Sequence, residues 1–228
     1  MNQDISPFII SIKTTAMATV IAFVLGIYAA RFVMTCNKRW RGLVDAIFTL
    51  PMVLPPTVVG FFLLVIFGRN SFIGSLLLSI GMQIIFSWWA TVIAATVVAF
   101  PLMYRTVRGA FEQMDPNIIF AARTLGMSER MIFWKITVPI SWAGIIAGTV
   151  LAFARALGEF GATLMIAGNI PGKTQTMPLA IFFATEGGDM QTALVWVLLL
   201  IAVSFISILL MNYSNGLQAT FSSKGRVR

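Results

Sequence analysis

Arg155 and Glu159 stand one helical turn apart inside the apolar stretch ARALGEFGAT. Ionisable groups at membrane depth are expensive and usually face a bundle interior or a water path. Two readings stand here: an i,i+4 pair in which each charge neutralises the other, and an arginine that offsets the charge of a passing anion. Residues 168–174, GNIPGKT, have the look of a phosphate-cradling loop. That pattern needs glycine where Ala167 stands, Pro171 interrupts it, and no strand precedes it, so no nucleotide site follows. Any energy the protein uses must come from another chain or from a gradient. With no histidine and the single Cys36, the chain offers no Cys/His metal site and no internal disulfide, and no cofactor is expected. A membrane enzyme would need paired carboxylates or a nucleophile with its base. Nothing of that kind is present, and the chain is expected not to be an enzyme.

The other concentration of charge is residues 116–139, PNIIFAARTLGMSERMIFWKITVP, with Arg123, Glu129, Arg130 and Lys135 inside it and Asp115 just upstream. Such a stretch belongs outside a bilayer. Pro116 can start a helix, Gly126 followed by Ser128 reads as a stop and a new N-cap, and Pro139 is expected to close the second helix. Two short helices meeting at a glycine corner make a protruding elbow. The spacing of Ala121, Ala122, Gly126, Ile136 and Pro139 resembles the EAA loop of permease subunits of type I ABC importers, by which the membrane subunit docks on its ATPase. On that resemblance these five residues couple the chain to the ATPase. Phe120 stands where the family usually has Glu, and Val138 where Leu is usual.

The elements that must carry these residues are read from hydropathy. Hydrophobic residues make up 58% of the 228 and charged ones 11%, against about 45–50% and about 25% in soluble proteins. The apolar surface therefore faces lipid, and about 20 apolar residues suffice for each crossing. Spans are expected at about 8–33, 43–67, 86–108, 140–167 and 193–211. The first carries Ala18, Ala22, Gly26 and Ala30 every fourth residue, a stripe that either admits another helix closely or reflects common alanine. In the second, Pro51, Pro55 and Pro56 free backbone carbonyls, so LPMVLPP faces protein or a water path, or else marks a simple kink. Residues 68–83 form a surface or re-entrant piece. Residues 140–167 as a straight helix would be about 42 Å long, more than a bilayer needs. A break is expected at Gly158 and Gly161. Residues 168–190 are expected to be a loop with a short apolar segment at 179–183, and 213–228 a cytoplasmic tail.

Cations fix the orientation. The net charge of +8 does not point to nucleic acid, because the charges sit between apolar runs. Lys38, Arg39 and Arg41, then Arg105, Arg108 and the elbow, then Lys224, Arg226 and Arg228 fall in alternate loops, which places the N-terminus outside and the C-terminus and elbow in the cytoplasm. Asp4, the lone early cation Lys13 and the length of the first apolar run argue against a cleaved signal peptide.

With LPMVLPPTVVGFFLLVIFGR, the elbow and LAFARALGEFGATLMIAGNIPGKTQTMP taken together, nearly the whole chain resembles the permease subunit of molybdate ABC transporters; sulfate and tungstate permeases share much of the pattern. The resemblance implies a MetI-like, all-α membrane bundle of about five transmembrane helices with a cytoplasmic coupling loop at 111–138, forming a type-1 transmembrane domain over 8–212. It also implies two copies of an ATP-binding subunit, an extracytoplasmic molybdate-binding protein and a second copy of the chain. A gradient-driven secondary transporter is the rival of another class. Such proteins commonly show internal repeats and intramembrane acids or histidines; here there is no repeat, and Glu159 and Asp45 are the only acids in place.

Overall fold

The computed structural model describes the backbone of residues 4–224 and the side chains of residues 4–209. Its described residues form helices α1 (Ser6–Thr35), α2 (Lys38–Val53), α3 (Pro56–Phe67), α4 (Phe72–Ser79), α5 (Trp88–Glu112), α6 (Pro116–Thr124) and α7 (Glu129–Ile132), then a π-turn (Phe133–Thr137), then α8 (Val138–Ile140), α9 (Trp142–Leu157), α10 (Gly161–Ala167), α11 (Met177–Glu186) and α12 (Met190–Lys224). Three helices, α1, α5 and α12, are long and apolar enough to cross a membrane, and two bent pairs raise the number to as many as five.

The centre of the bundle is α1 against α5 and α9. The small-residue stripe makes that contact: Ala18, Ala22 and Ala30 are fully buried, and a Cβ on Gly26 would lie 2.6 Å from Met103 Cγ of α5. Close backbone approach gains van der Waals contact where lipid supplies no hydrophobic drive. At one end of the pair Thr14 and Thr91 share a hydrogen bond of 2.9 Å, and the Trp88 indole N–H donates to Thr14 Oγ1 at 3.0 Å.

The breaks after α2 and after α9 fall where sequence chemistry asks. Leu54 and Pro55 separate α2 from α3 through 111°, a turn sharper than a kinked span, so the two helices take different partners: α2 packs on α5, and α3 on α10. The expected break in 140–167 falls at Gly158, Glu159 and Phe160, between α9 and α10. Gly60 of α3 sits on Ala162 of α10, where an added Cβ would meet Ala162 Cα at 2.8 Å.

Pro139 stands one residue from the end of the helical run Glu129–Ile140, as expected of a residue that closes it; Val138 N–H donates to Phe133 O across the π-turn, and the chain turns at Ser141, by 72°. Two expectations are corrected. Residues 168–190 are not a loop with an apolar patch: α11 forms there, with Pro178 in its first turn and Met177 N–H donating to Ser11 Oγ of α1 at 2.7 Å. Finally α12 runs on as helix to Lys224, through most of the stretch expected as a tail; Arg226 and Arg228 lie outside the described residues. Up to Leu209 α12 is largely uncovered, with Leu194, Leu198, Ile201 and Phe205 all exposed, as suits a helix bathed in lipid.

Candidate functional site: the elbow and a buried ion pair

The elbow is built from local rules. Asp115 caps α6 by accepting from Asn117 N–H at 2.9 Å, with Pro116 as first residue. At the other end Gly126 takes φ +74°, its N–H donates to Arg123 O at 2.9 Å, and Met127 N–H donates to Ala122 O at 3.1 Å. These are the two bonds of a Schellman motif. Ser128 then caps α7 by accepting from Met131 N–H at 3.4 Å. Arg123 and Glu129 close the corner with two charge-assisted bonds, Nε to Oε1 at 2.7 Å and Nη2 to Oε2 at 3.2 Å. The Arg123 guanidinium holds the Glu129 carboxyl below its usual value.

The five expected coupling residues do not share one surface. Ala121 and Pro139 are exposed and Ile136 is half-buried, whereas Ala122 is 4% exposed within this single chain. It is covered within the chain, and the substantial partner of α6 is α7, the other limb of the elbow. Gly126 is exposed at the corner. What the elbow offers outward instead is Leu125, 81% exposed, and Phe120, 57% exposed, beside the Arg123 cation. Sequence reasoning noted Phe120 only as a departure from a pattern and missed Leu125. A charged stretch with two bulky apolar residues at its corner was the available signal.

A second charged group lies between α2 and α5. Tyr104 donates to Asp45 at 2.7 Å, Arg108 donates to Tyr104 at 3.0 Å and to Glu112 at 2.8 Å, and Arg108 also pairs with Asp45 and Arg41 with Glu112. This network fastens α2, which has no buried residue of its own, to the end of α5.

Arg155 and Glu159 do pair, but not as neighbours on one helix. Arg155 is in the last turn of α9; Glu159 lies past its end, in the break, with its side chain 2% exposed. Glu159 Oε1 accepts from Ala162 N–H at 2.8 Å and so caps the start of α10. Oε2 lies 2.9 Å from Arg155 Nη1 without the alignment of a hydrogen bond, a Coulombic contact. The Arg155 side chain remains 32% exposed in this single chain.

An all-helical membrane chain with a protruding elbow has the architecture of an importer's membrane subunit. The model of binding-protein-dependent transport system inner membrane components matches residues 22–219, and this chain belongs to that family. It is 44% identical over 206 residues to the putative molybdenum transport system permease protein YvgM of Bacillus subtilis, covering 90% of this chain and 91% of that one. It is 43% identical over 205 residues to the molybdenum transport system permease protein ModB of Escherichia coli K12, covering 89% of each. Among solved structures, its fold is similar to that of the inward-facing MetNI methionine ABC transporter, with TM-score 0.72 and 15% identity over 93% of this chain and 94% of that one. A bacterial importer of alginate gives TM-score 0.76 and 14% identity over 94% of this chain and 79% of that one. The protein is therefore a multi-pass permease subunit of the ABC importer class.

Proposed function

We propose that this chain carries molybdate across the cytoplasmic membrane as one half of a homodimeric permease, with ATP hydrolysed by two copies of a separate subunit docked on the elbow. An extracytoplasmic binding protein delivers the anion. The reading has the type-1 transmembrane domain at 8–212, the N-terminus outside and the C-terminus in the cytoplasm, following the cations. The substrate follows the relatives' printed transport of molybdenum. Arg155 is the residue assigned to the anion path, its charge balanced by Glu159 so that a dianion meets a guanidinium without being trapped by unopposed positive charge.

The observation that carries the docking assignment is the elbow's outward face. Leu125 and Phe120 stand uncovered on a charged stretch, two large apolar side chains that a docked subunit would take out of water. The capped, clipped corner behind them is stiff, as a lever must be. Co-purification tests it: the native complex, drawn by a tag on this chain, should retain an ATP-binding subunit and take up molybdate in competition with tungstate and sulfate. Cysteines at Ser71 or Asn169 should react with an impermeant thiol reagent in intact cells, and one at Ser128 should not. Labelling of Ser128 from outside would refute the docking assignment.

A further inference from the structure

Phe133 is where the elbow enters the body of the bundle. It opens the π-turn, is 6% exposed, and meets Phe111 of α5 edge-on with ring centroids 5.8 Å apart. On its other side the Arg31 guanidinium of α1 lies over the ring, 4.3 Å from the centroid. One turn earlier on the same face of α1, Tyr28 meets Trp134 edge-on at 6.3 Å. Arg31 also borders a cavity of about 210 Å³ whose walls include Arg123 and Glu129, the two halves of the elbow's clip.

None of these contacts is needed for the elbow to fold, since caps, glycine corner and clip account for its shape. They join the second limb of the elbow to the helix on which α5 and α9 are packed. The junction is a π-turn, a local excess of backbone that recurs at functional positions in helices. The ring's quadrupole holds the Arg31 guanidinium against Phe133, a tie between α1 and the elbow's second limb that neither residue's backbone provides. Phe133, Arg31 and both halves of the clip border the same cavity, so a displacement of the corner that carries Phe120 and Leu125 bears on a wall that Arg31 shares.

We propose that Arg31 is a positioning residue that transmits movement of the elbow to α1, so that ATP hydrolysis by the docked subunit is converted into opening of the membrane path. The proposal rests on the docking reading above. The test uses the whole complex in liposomes with the binding protein and molybdate, and reads three quantities for Arg31→Gln and Arg31→Lys: ATPase subunit retained per permease, ATP hydrolysed, and anion imported per ATP. In Arg31→Gln, retention and hydrolysis should stay within about twofold of the native values while import per ATP falls roughly tenfold, the order of one lost cation–π contact. Arg31→Lys, which keeps a cation over the ring, should recover most of the import per ATP. Arg31→Met fills the same space and replaces Arg31→Gln if that variant accumulates poorly. Unchanged import per ATP in the uncharged variants would overturn the proposal. So would a fall in import that only tracks lost ATPase subunit, because Arg31 would then merely shape the elbow. Failure of the docking reading shows differently, as a native complex that retains no ATPase subunit, and the proposal falls with it.

Discussion

Replacing Gly126 by valine is a direct test of whether the elbow must hold its shape to dock. The residue sits at φ +74°, and no atom lies within 4 Å of where a Cβ would be, so the substitution meets a conformational cost and no clash. For a β-branched residue in the left-handed region that cost is about 1–3 kcal/mol. A free elbow can escape it by giving up the bonds from Gly126 N–H to Arg123 O and from Met127 N–H to Ala122 O, but docking then has to restore the corner. With tenfold in affinity for every ~1.4 kcal/mol, the ATPase subunit should bind about 5- to 150-fold more weakly. Asparagine tolerates the left-handed region, and Gly126→Asn should lose much less. The assay is the ratio of ATPase subunit to permease after detergent purification at graded ATPase concentration, beside uptake in the same cells. No helix of the bundle is touched, so permease accumulation should be normal. Native retention and uptake in Gly126→Val would refute the reasoning, and an Asn variant as weak as the Val variant would show that φ is not the cause.

The structure sharpens four further expectations. Gly60→Ala should lower the thermal midpoint in detergent by an overpacking cost of about 1–3 kcal/mol, since the new Cβ would lie 2.7 Å from Met165 Cβ and 2.8 Å from Ala162 Cα; Gly109→Ala, with open space around it, should not. Ala122→Asp buries a carboxylate inside the chain and should lower that midpoint, whereas Phe120→Asp should leave it alone and weaken only ATPase retention. Glu129 should titrate below the ordinary 4.5 in a carbon-labelled sample because of Arg123; its contribution to the corner is present above that value and is lost as pH falls through the depressed one, and Arg123→Gln should move the midpoint back up. Arg155→Ala leaves Glu159 buried without its counter-ion and should cost about 3–5 kcal/mol of stability; in the double variant with Glu159→Leu assembly should return and uptake should not, and recovery of uptake would remove Arg155 from the anion path.

The parts of this fold that could be read in advance are those decided within a few residues. Gly126 and Ser128 declare the corner, Gly158 and Gly161 the break in the fourth apolar run, and the four-residue repeat of Ala18, Ala22, Gly26 and Ala30 the face that packs on α5. The rest is decided by distant parts of the chain. Asp45 meets Tyr104 and Arg108 across 59 and 63 positions, a pairing no local pattern announces. The start of α11 is completed by Ser11, 166 residues away. Ala121 and Ala122 look equivalent in the sequence, yet successive residues of a helix point about 100° apart, and only the folding of the elbow settles that Ala122 is the covered one.

The pairing of Arg155 with Glu159 has an electrical consequence. Since the two charges cancel at 2.9 Å, α9 and α10 can move across the membrane field without displacing net charge of their own at this point. All the voltage dependence contributed here then falls on the cargo. Each elementary charge moved through 100 mV is worth about 2.3 kcal/mol, so a dianion brought into an inside-negative cell works against about 4.6 kcal/mol. If molybdate is the cargo, as proposed above, import should carry two negative charges inward per anion, and hyperpolarising the membrane should slow it with that valence.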